Sequence, residues 1–430
     1  MERRIVAGTP VQRQRDSRDE ATVNSGRRLR IAVAAHRSGR GGGVEQYLGT
    51  VVPALVAAGH DVACWFEKAS PASSPPTVGN TVTTWTAEGH AHNALDAMAQ
   101  WQPDVIFAQG ISSPRLERDL IRLAPSVCFA HSYYGTCVSG SKMHRSPADG
   151  CCTRRFGAAC LAHYYPRRCG GLSPLTLLNQ YRVQQLRLAL LHDYKRIVVA
   201  SRHMAAEYSR HGLRGKTRVV SLPIESPAGP SHRIHAGDTI RLLYLGRLEE
   251  TKGAHIAIDS AAIVAASTGR TTELQMSGEG SRESQLKIRA AHAVARDRRL
   301  TVTFTGWLQP DMCIESFDRA DLLLVPSCWP EPFGMVGVEA ALRGVPAVAF
   351  AVGGIPEWLT NGVNGRLVGA EPPDTRRFAE AIVDCLADPT ELARMRVRCQ
   401  SSARRFSVDA HVSQLRDVFE EATVHQIAGS

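Results

Sequence analysis

Apolar residues along this chain come in short blocks, not in hairpin-like alternation. The first 28 residues are polar, rich in Arg, Ser and Gln, and follow neither a period of 2 nor one of 3.6, which predicts a mobile basic tail. The blocks begin at Leu29. LRIAVAA predicts a strand, and Tyr47, Leu48, Val51, Val52, Leu55 and Val56 share one helical face. DVACWF predicts a second strand, with the Gly59-His60 pair closing the helix between the two. PDVIFAQG, SVCFAH and RIVVAS read as further strands. Short apolar runs separated by helical segments are the mark of parallel strands buried on both faces.

A stretch rich in Pro, Gly and His, Ser226 to Asp238, interrupts the series and predicts a linker. A second series follows: IRLLYLG, a helix after Gly253, ELQMSG, a helix after Ser281, VTFTGW, DLLLVPS, a helix from Phe333 to Arg343, and PAVAF. The expected fold class is therefore α/β, two doubly wound parallel-sheet domains spanning 29–225 and 226–405. Two such domains turn the carboxyl ends of both sheets toward one cleft, where open α/β folds bind their ligands.

Composition sharpens this only in part. At 430 residues with 43% hydrophobic content, the chain is long enough for two cores and excludes wholesale disorder. A formal charge of +10 favours anionic partners such as nucleotides, phosphates, acidic glycans or an anionic membrane surface. No apolar run approaches the roughly 18 residues that cross a bilayer, and the N-terminus lacks a secretory core, so the expected location is the cytoplasm, with peripheral contact at the inner membrane face open to the basic surface.

Three constellations carry candidate chemistry. HRSGRGGGVEQ places glycines at 39 and 41 to 43 where a helix opens, which suits a phosphate or an unliganded turn; it misses a dinucleotide fingerprint because Val44 stands at the third glycine, although Glu67 ends the next strand. GRLEETKG sets Arg247 and Lys252 in one turn after the first strand of the second series, a fork and a point charge for a diphosphate, or else a solvated basic loop balanced by Glu249 and Glu250. SCWPEPFGMVGVEAALRG sets Glu331 before a helix start and Glu339 about two turns on. Taken singly, either acid reads as a cap or a helix-surface carboxylate.

Gly-Gly-Val-Glu, the strand-ending His131, GRL with Lys-Gly, GEG, FTGW and EPFG with a second Glu occur here in one order, and together they resemble the family 4 retaining glycosyltransferases. The resemblance runs from about Leu29 to the final helices and implies the GT-B architecture of two Rossmann-like domains, N-terminal for the acceptor and C-terminal for the donor, with the end of the chain, 406–430, packing back on the first domain. It implies a hexosyltransferase that uses a UDP- or GDP-sugar and a glycan, lipid-linked or small-molecule acceptor, as in polysaccharide biosynthesis. In such enzymes Arg247 and Lys252 hold the diphosphate and Glu339 the ribose. Glu331, the backbone of Phe333, Gly334, Met335 and Val336, and His131 face the sugar and phosphate, while Gly42 and Gly43 approach from the other domain. Fixed cations and dipoles would stabilise a departing diphosphate and an oxocarbenium-like centre. No cofactor or catalytic metal is implied, because no paired-aspartate site ends a strand and the two cations compensate charge.

VVSLPIES departs from the family in lacking an Asn-Gly after the last strand of the first domain. A larger departure is the insertion 137–170, with Cys137, Cys151, Cys152, Cys160 and Cys169. Its thiols are candidates for a structural zinc or disulfides, or are ordinary thiols of a loop, since no clean Cys-x-x-Cys pair occurs. Its Arg and Tyr residues suit acceptor or membrane contact. Two other classes stay open: a basic nucleic-acid-binding protein, disfavoured as a partner class because it leaves both α/β series unexplained, and a sugar-nucleotide epimerase or hydrolase.

Overall fold

The computed structural model describes residues 27–38, 42–69, 82–146, 150–225 and 237–424. The expected N-terminal tail, except residues 27 and 28, and the linker, except residues 237 and 238, lie outside them.

The first sheet contains β1 (Arg30–Arg37), β2 (Asp61–Lys68), β3 (Thr83–Thr86), β4 (Val105–Gln109) and β5 (Ser126–Ala130). After a separate antiparallel pair of two-residue strands, β6 (Met143–His144) and β7 (Gly150–Cys151), it is completed by β8 (Arg196–Val199) and β9 (Thr217–Val219). The order is β3-β2-β1-β4-β5-β8-β9, every pair parallel. Its helices are α1 (Gly43–Ala57), α2 (Ala91–Trp101), α3 (Pro114–Leu123), α4 (Ala159–His163), α5 (Pro174–Asp193) and α6 (Arg202–Arg210). Residues of β1, β4 and β5 are almost wholly buried, as strands covered on both faces must be. On α1 the apolar stripe buries Tyr47, Leu48, Val51, Val52 and Leu55, whereas Val56, expected on the same face, is exposed because the stripe has rotated past it by the last turn.

The second sheet has the order β12-β11-β10-β13-β14-β15, again all parallel. Its strands are β10 (Ile240–Leu245), β11 (Thr272–Ser277), β12 (Leu300–Gly306), β13 (Leu322–Val325), β14 (Ala347–Phe350) and β15 (Gly365–Val368). The helices are α7 (Ala254–Thr268), α8 (Glu283–Arg296), α9 (Pro310–Arg319), α10 (Met335–Leu342), α11 (Thr375–Leu386), α12 (Pro389–Ala403) and α13 (Val408–Thr423). The helix expected from Phe333 starts at Met335, because Gly334 adopts a left-handed φ of 89° and holds the chain out of the helix for one more residue.

The last helix, α13, returns to the first domain. Phe419 meets Phe107 edge-on at 5.1 Å, and Glu421 accepts hydrogen bonds from Arg196 at 2.8 Å and Arg218 at 3.0 Å. Deeper in, Nδ1 of His411 lies 2.7 Å from the Ser221 carbonyl and Nε2 lies 2.9 Å from the Tyr47 hydroxyl. A carbonyl only accepts, so the proton sits on Nδ1 and Nε2 accepts from the tyrosine. Burial lowers the His411 pKa from its ordinary value near 6.5 to about 4.

That shift has a sign. A histidine held neutral in the fold takes up its proton only on unfolding, so the unfolded state binds more protons between the two values, and stability falls as pH drops from about 6.5 toward 4. We expect His411→Gln to flatten the pH dependence of unfolding in this window by up to about 1.4 kcal/mol per pH unit. Urea titrations at stepped pH measure it, and an unchanged slope would mean that His411 titrates alike in both states.

Candidate active site

The candidate site is built at the carboxyl ends of β10 and β13. After β10 the chain passes Arg247, turns through Glu250–Lys252 and enters α7 at Gly253. Gly253 has a φ of 69°, and a Cβ there would lie 1.9 Å from the Pro326 carbonyl oxygen, so only glycine lets this turn close on the loop after β13. That loop is in turn fastened to the turn: the Thr251 carbonyl accepts the N–H groups of Cys328 and Trp329, both at 3.0 Å.

This fastening sets Lys252 against Glu331. Nζ lies 2.5 Å from Oε1 of Glu331, and the Ser327 hydroxyl donates to the same oxygen at 2.8 Å. Both side chains of the ion pair are largely buried, where a charge-assisted contact is stronger than at a surface. The Glu331 carbonyl accepts from Gly354 at 2.6 Å, and the Phe333 carbonyl from the Trp358 indole at 2.8 Å. Past Gly334, α10 begins without a side-chain cap, so its first N–H groups are open to an acceptor. Arg247 is exposed, and among the described residues its guanidinium makes no hydrogen bond or ion pair. Glu339, the fifth residue of α10, is half-buried and likewise without such a partner among the described residues; burial raises its carboxyl pKa. The result, among the described residues, is a fixed cation, a guanidinium without a partner, an uncapped helix start and an unpaired carboxyl along one sheet edge, donors for a diphosphate and an acceptor for vicinal hydroxyls.

The first domain abuts this loop. The Tyr133 hydroxyl donates to the Pro330 carbonyl at 2.5 Å, next in sequence to Glu331, and the Trp329 indole donates to the Ser141 carbonyl at 2.7 Å. His131, two residues before Tyr133, stacks on Phe129 at 4.4 Å and meets Tyr47 edge-on. Its Nε2 lies 2.6 Å from Oε1 of Gln109, so that nitrogen carries the proton and Nδ1 stays an acceptor. Burial, reinforced by neighbouring His411, lowers its pKa to about 3. A neutral imidazole of this kind is an acceptor for a hydroxyl, not an acid.

Two family descriptions match the chain in succession: "Glycosyltransferase Family 4" over residues 41–226 and "Glycosyl transferases group 1" over residues 231–406. The glycogen synthase of Mycobacterium tuberculosis is 28% identical over 405 residues, covering 86% of this chain and 87% of that one. The chain belongs to glycosyltransferase family 4. A D-inositol 3-phosphate glycosyltransferase of Thermobispora bispora is 32% identical over 190 residues, 42% of this chain and 43% of that one. Among solved structures, Anabaena Alr3699/HepE in complex with UDP-glucose superposes with a TM-score of 0.61 at 20% identity, covering 90% of this chain and 98% of that one. Sucrose-phosphate synthase from Thermosynechococcus elongatus gives 0.64 at 19% identity, covering 94% and 100%. The architecture is GT-B.

Within this glycosyltransferase, Lys252 and Glu331 are brought into contact, with Arg247 in the adjoining turn. Phe333 buries its ring against Phe406 at 5.4 Å, so only its backbone faces the loop, and Met335 and Val336 are half-buried at the start of α10. Gly42 caps α1 in an extended conformation, and Gly43 has open space beside it, while residues 39 to 41 lie outside the described residues. Among the described residues, no hydrogen bond links His131, Gly42 or Gly43 to the Lys252–Glu331 pair. Glu67 is occupied elsewhere, accepting from His36, from Ser112 and from the N–H of Ser113 at the start of α3. In the insertion, Cys137, Cys151, Cys152, Cys160 and Cys169 form no disulfide with one another, and among the described residues no group of three His, Cys, Asp or Glu side chains is arranged to hold a metal ion. Cys137 instead accepts a backbone N–H from Lys142 at 3.4 Å. Reasoning from sequence missed Thr251, Ser327, Trp329, Tyr133 and Gln109, of which only the Trp in SCWPEP carried a signal, its place two residues before Glu331.

A cavity of about 550 Å³ lined by Arg241, Glu273, Gln275, Glu315 and Asp318 is a different place. Arg241 and Glu273 stand at the amino ends of their strands, opposite the edge at which open parallel sheets bind ligands.

Gly353 tests how tightly the site loop is held. Its φ is 56°, and a Cβ would lie 2.2 Å from the Glu331 carbonyl oxygen and 2.4 Å from its nitrogen. Gly353→Ala is expected to destabilise the protein by about 2 kcal/mol or more in urea unfolding. A change under about 0.5 kcal/mol would show that the loop has room to move aside.

Proposed function

We propose that this glycosyltransferase transfers a hexose from a nucleotide-sugar donor, a UDP-hexose before a GDP-sugar, to a hydroxyl of a glycan, lipid-linked or small-molecule acceptor, with retention of anomeric configuration. The observation that carries this is the Lys252–Glu331 contact at the sheet's carboxyl edge, with the exposed Arg247 guanidinium just before the adjoining turn. The HepE structures with UDP and with UDP-glucose support the choice of donor. In the proposed reaction the bond from the sugar C1 to the diphosphate oxygen breaks while the acceptor oxygen bonds C1 on the same face. The acceptor proton passes to the departing diphosphate, whose charge Arg247 and Lys252 compensate. Neutral His131 accepts from a sugar hydroxyl, and Glu339 accepts from the ribose. No cofactor beyond the donor, and no metal, is part of this reaction.

The test is a thermal-shift screen against UDP, GDP, ADP and their sugars, repeated with Arg247→Ala/Lys252→Ala. A ligand that binds only the folded state raises the melting temperature by mass action. One nucleoside diphosphate should shift the native protein and not the double variant; no shift with any of them would overturn the donor site. NMR of the glycoside product should show the donor's anomeric configuration, and inversion would overturn the retaining course. Donor isomerisation without an acceptor would favour the epimerase reading.

Peripheral contact with an anionic membrane is a second element of the proposal, favoured by the start of α5. Leu172 is 85% exposed, Leu175 81% and Leu178 48%, beside exposed Arg168 and Arg182. Among the described residues no helix is long and apolar enough to cross a membrane. Leucines projecting among arginines suit the headgroup boundary of an anionic bilayer. Co-sedimentation with phosphatidylglycerol vesicles should fall at least fivefold in Leu172→Ser/Leu175→Ser, given about 0.8 kcal/mol per buried methylene; equal binding would overturn the contact.

A further inference from the structure

The insertion and the donor lysine are joined through one side chain. Trp329 lies in the loop that carries Glu331, and its two functional parts point to different domains. Its ring face meets the Lys252 ammonium, with Nζ 4.7 Å from the ring centroid. Its indole N–H donates to the Ser141 carbonyl, inside the cysteine-bearing insertion of the first domain. Tyr133 packs edge-on against the same ring at 6.3 Å.

The carbonyl that receives the indole is itself firmly held. Ser141 precedes Lys142, whose ammonium is buried 2.5 Å from Glu207 of α6 and donates to the Arg154 carbonyl at 2.6 Å. Phe156, further along the insertion, donates its N–H to Nε2 of buried His211 at 2.9 Å. The insertion is therefore fixed at two points, to Glu207 of α6 and to His211 just after that helix, and Trp329 is hung from a rigid acceptor.

On the lysine side, an ammonium has three N–H donors. One goes to Glu331, and the aromatic face restrains the long stem and favours the cation without using a further acceptor. The remaining donors stay available to an anion, and the entropy of ordering the lysine has already been lost before the ligand arrives.

We propose that Trp329 is a positioning residue: it presets Lys252 for the donor diphosphate and ties that setting to the insertion through Ser141. This rests on the donor-site reading above and adds a route by which the acceptor-side insertion governs the donor lysine.

Two substitutions separate the halves. Trp329→Leu removes the ring face and is expected to weaken UDP binding about tenfold by titration calorimetry, or binding of GDP or ADP if the thermal screen selects one of them. In a Lys252→Ala background the same substitution should change the affinity less than twofold, because no ammonium remains to be placed; equal losses in both backgrounds would overturn the proposal, as would wild-type affinity for Trp329→Leu. Trp329→Phe keeps a ring face and leaves the Ser141 carbonyl unpaired. It should lower kcat at least threefold at unchanged donor KM, and an unchanged kcat would overturn the tie to the insertion. If Leu at this position prevents folding, the Phe variant with and without Lys252→Ala carries the test, a kcat loss in the native background alone being the expected result and equal losses in both overturning it. Absence of nucleoside diphosphate binding by the unaltered protein overturns the donor site and this proposal together. Binding that Lys252→Ala weakens and Trp329→Leu spares overturns this proposal alone.

Discussion

Glu331 reaches Lys252 only because the backbone around it has no side chains in the way. Gly253 lets the turn after β10 press against the Pro326 carbonyl, and Gly353 and Gly354 press from the other side on residues 330 to 333. A methyl group at any of the three would meet main-chain atoms at 1.9 to 2.4 Å, closer than atoms approach. The loop between β13 and α10 is thus clamped by two neighbouring turns, and its hydrogen bonds to Thr251, Gly354 and Trp358 follow from that proximity. A charged pair in a partly buried place needs such definition, since imperfect geometry would leave a desolvated charge uncompensated.

The clamp also explains how one loop serves two domains. Its inner side is occupied by the lysine and its outer side by Tyr133 and Ser141 of the first domain. Arg202 adds a further contact, its N–H donating to Glu357 at 2.7 Å just beyond the Gly353-Gly354 pair. The domains meet through backbone carbonyls and ring faces near the chemistry, and through the returning α13, whose His411 bonds Tyr47 beside His131. Interfaces of this polar kind hold a geometry without locking it.

Much of this was legible in the sequence where the signal is local. Each buried strand from LRIAVAA to PAVAF occupies its expected place, because a run covered on both faces must be apolar at consecutive positions. The short edge strands β3, β9 and β15 were not legible: four residues or fewer, half of them exposed in β3, give no period to detect. Nor was α5, which buries only Leu177, Gln184, Leu190 and Leu191 over twenty residues and so has no continuous stripe. At the site, Arg247, Lys252, Glu331 and Glu339 stood out through their order along the chain. The residues that hold them did not, because Tyr133 meets Pro330 from 197 positions away and Ser141 meets Trp329 from 188. The cysteines of the insertion were ambiguous in sequence: burial first, and then neighbouring Cys137 and Cys152, raise the Cys160 and Cys169 thiol pKa values, yet the five thiols form no disulfide and no metal-holding group among the described residues.

Tyr47 and His411 meet across 364 positions of chain. The first domain emerges from the ribosome with the pocket around Tyr47 and Phe107 uncovered, and the residues that cover it, His411 and Phe419, are made only after the donor domain. The domain synthesised first is therefore the one completed last. Its core waits on the synthesis of the whole donor domain, with apolar surface open to solvent in the meantime, and the ordering of these two halves in time is the reverse of their ordering in sequence.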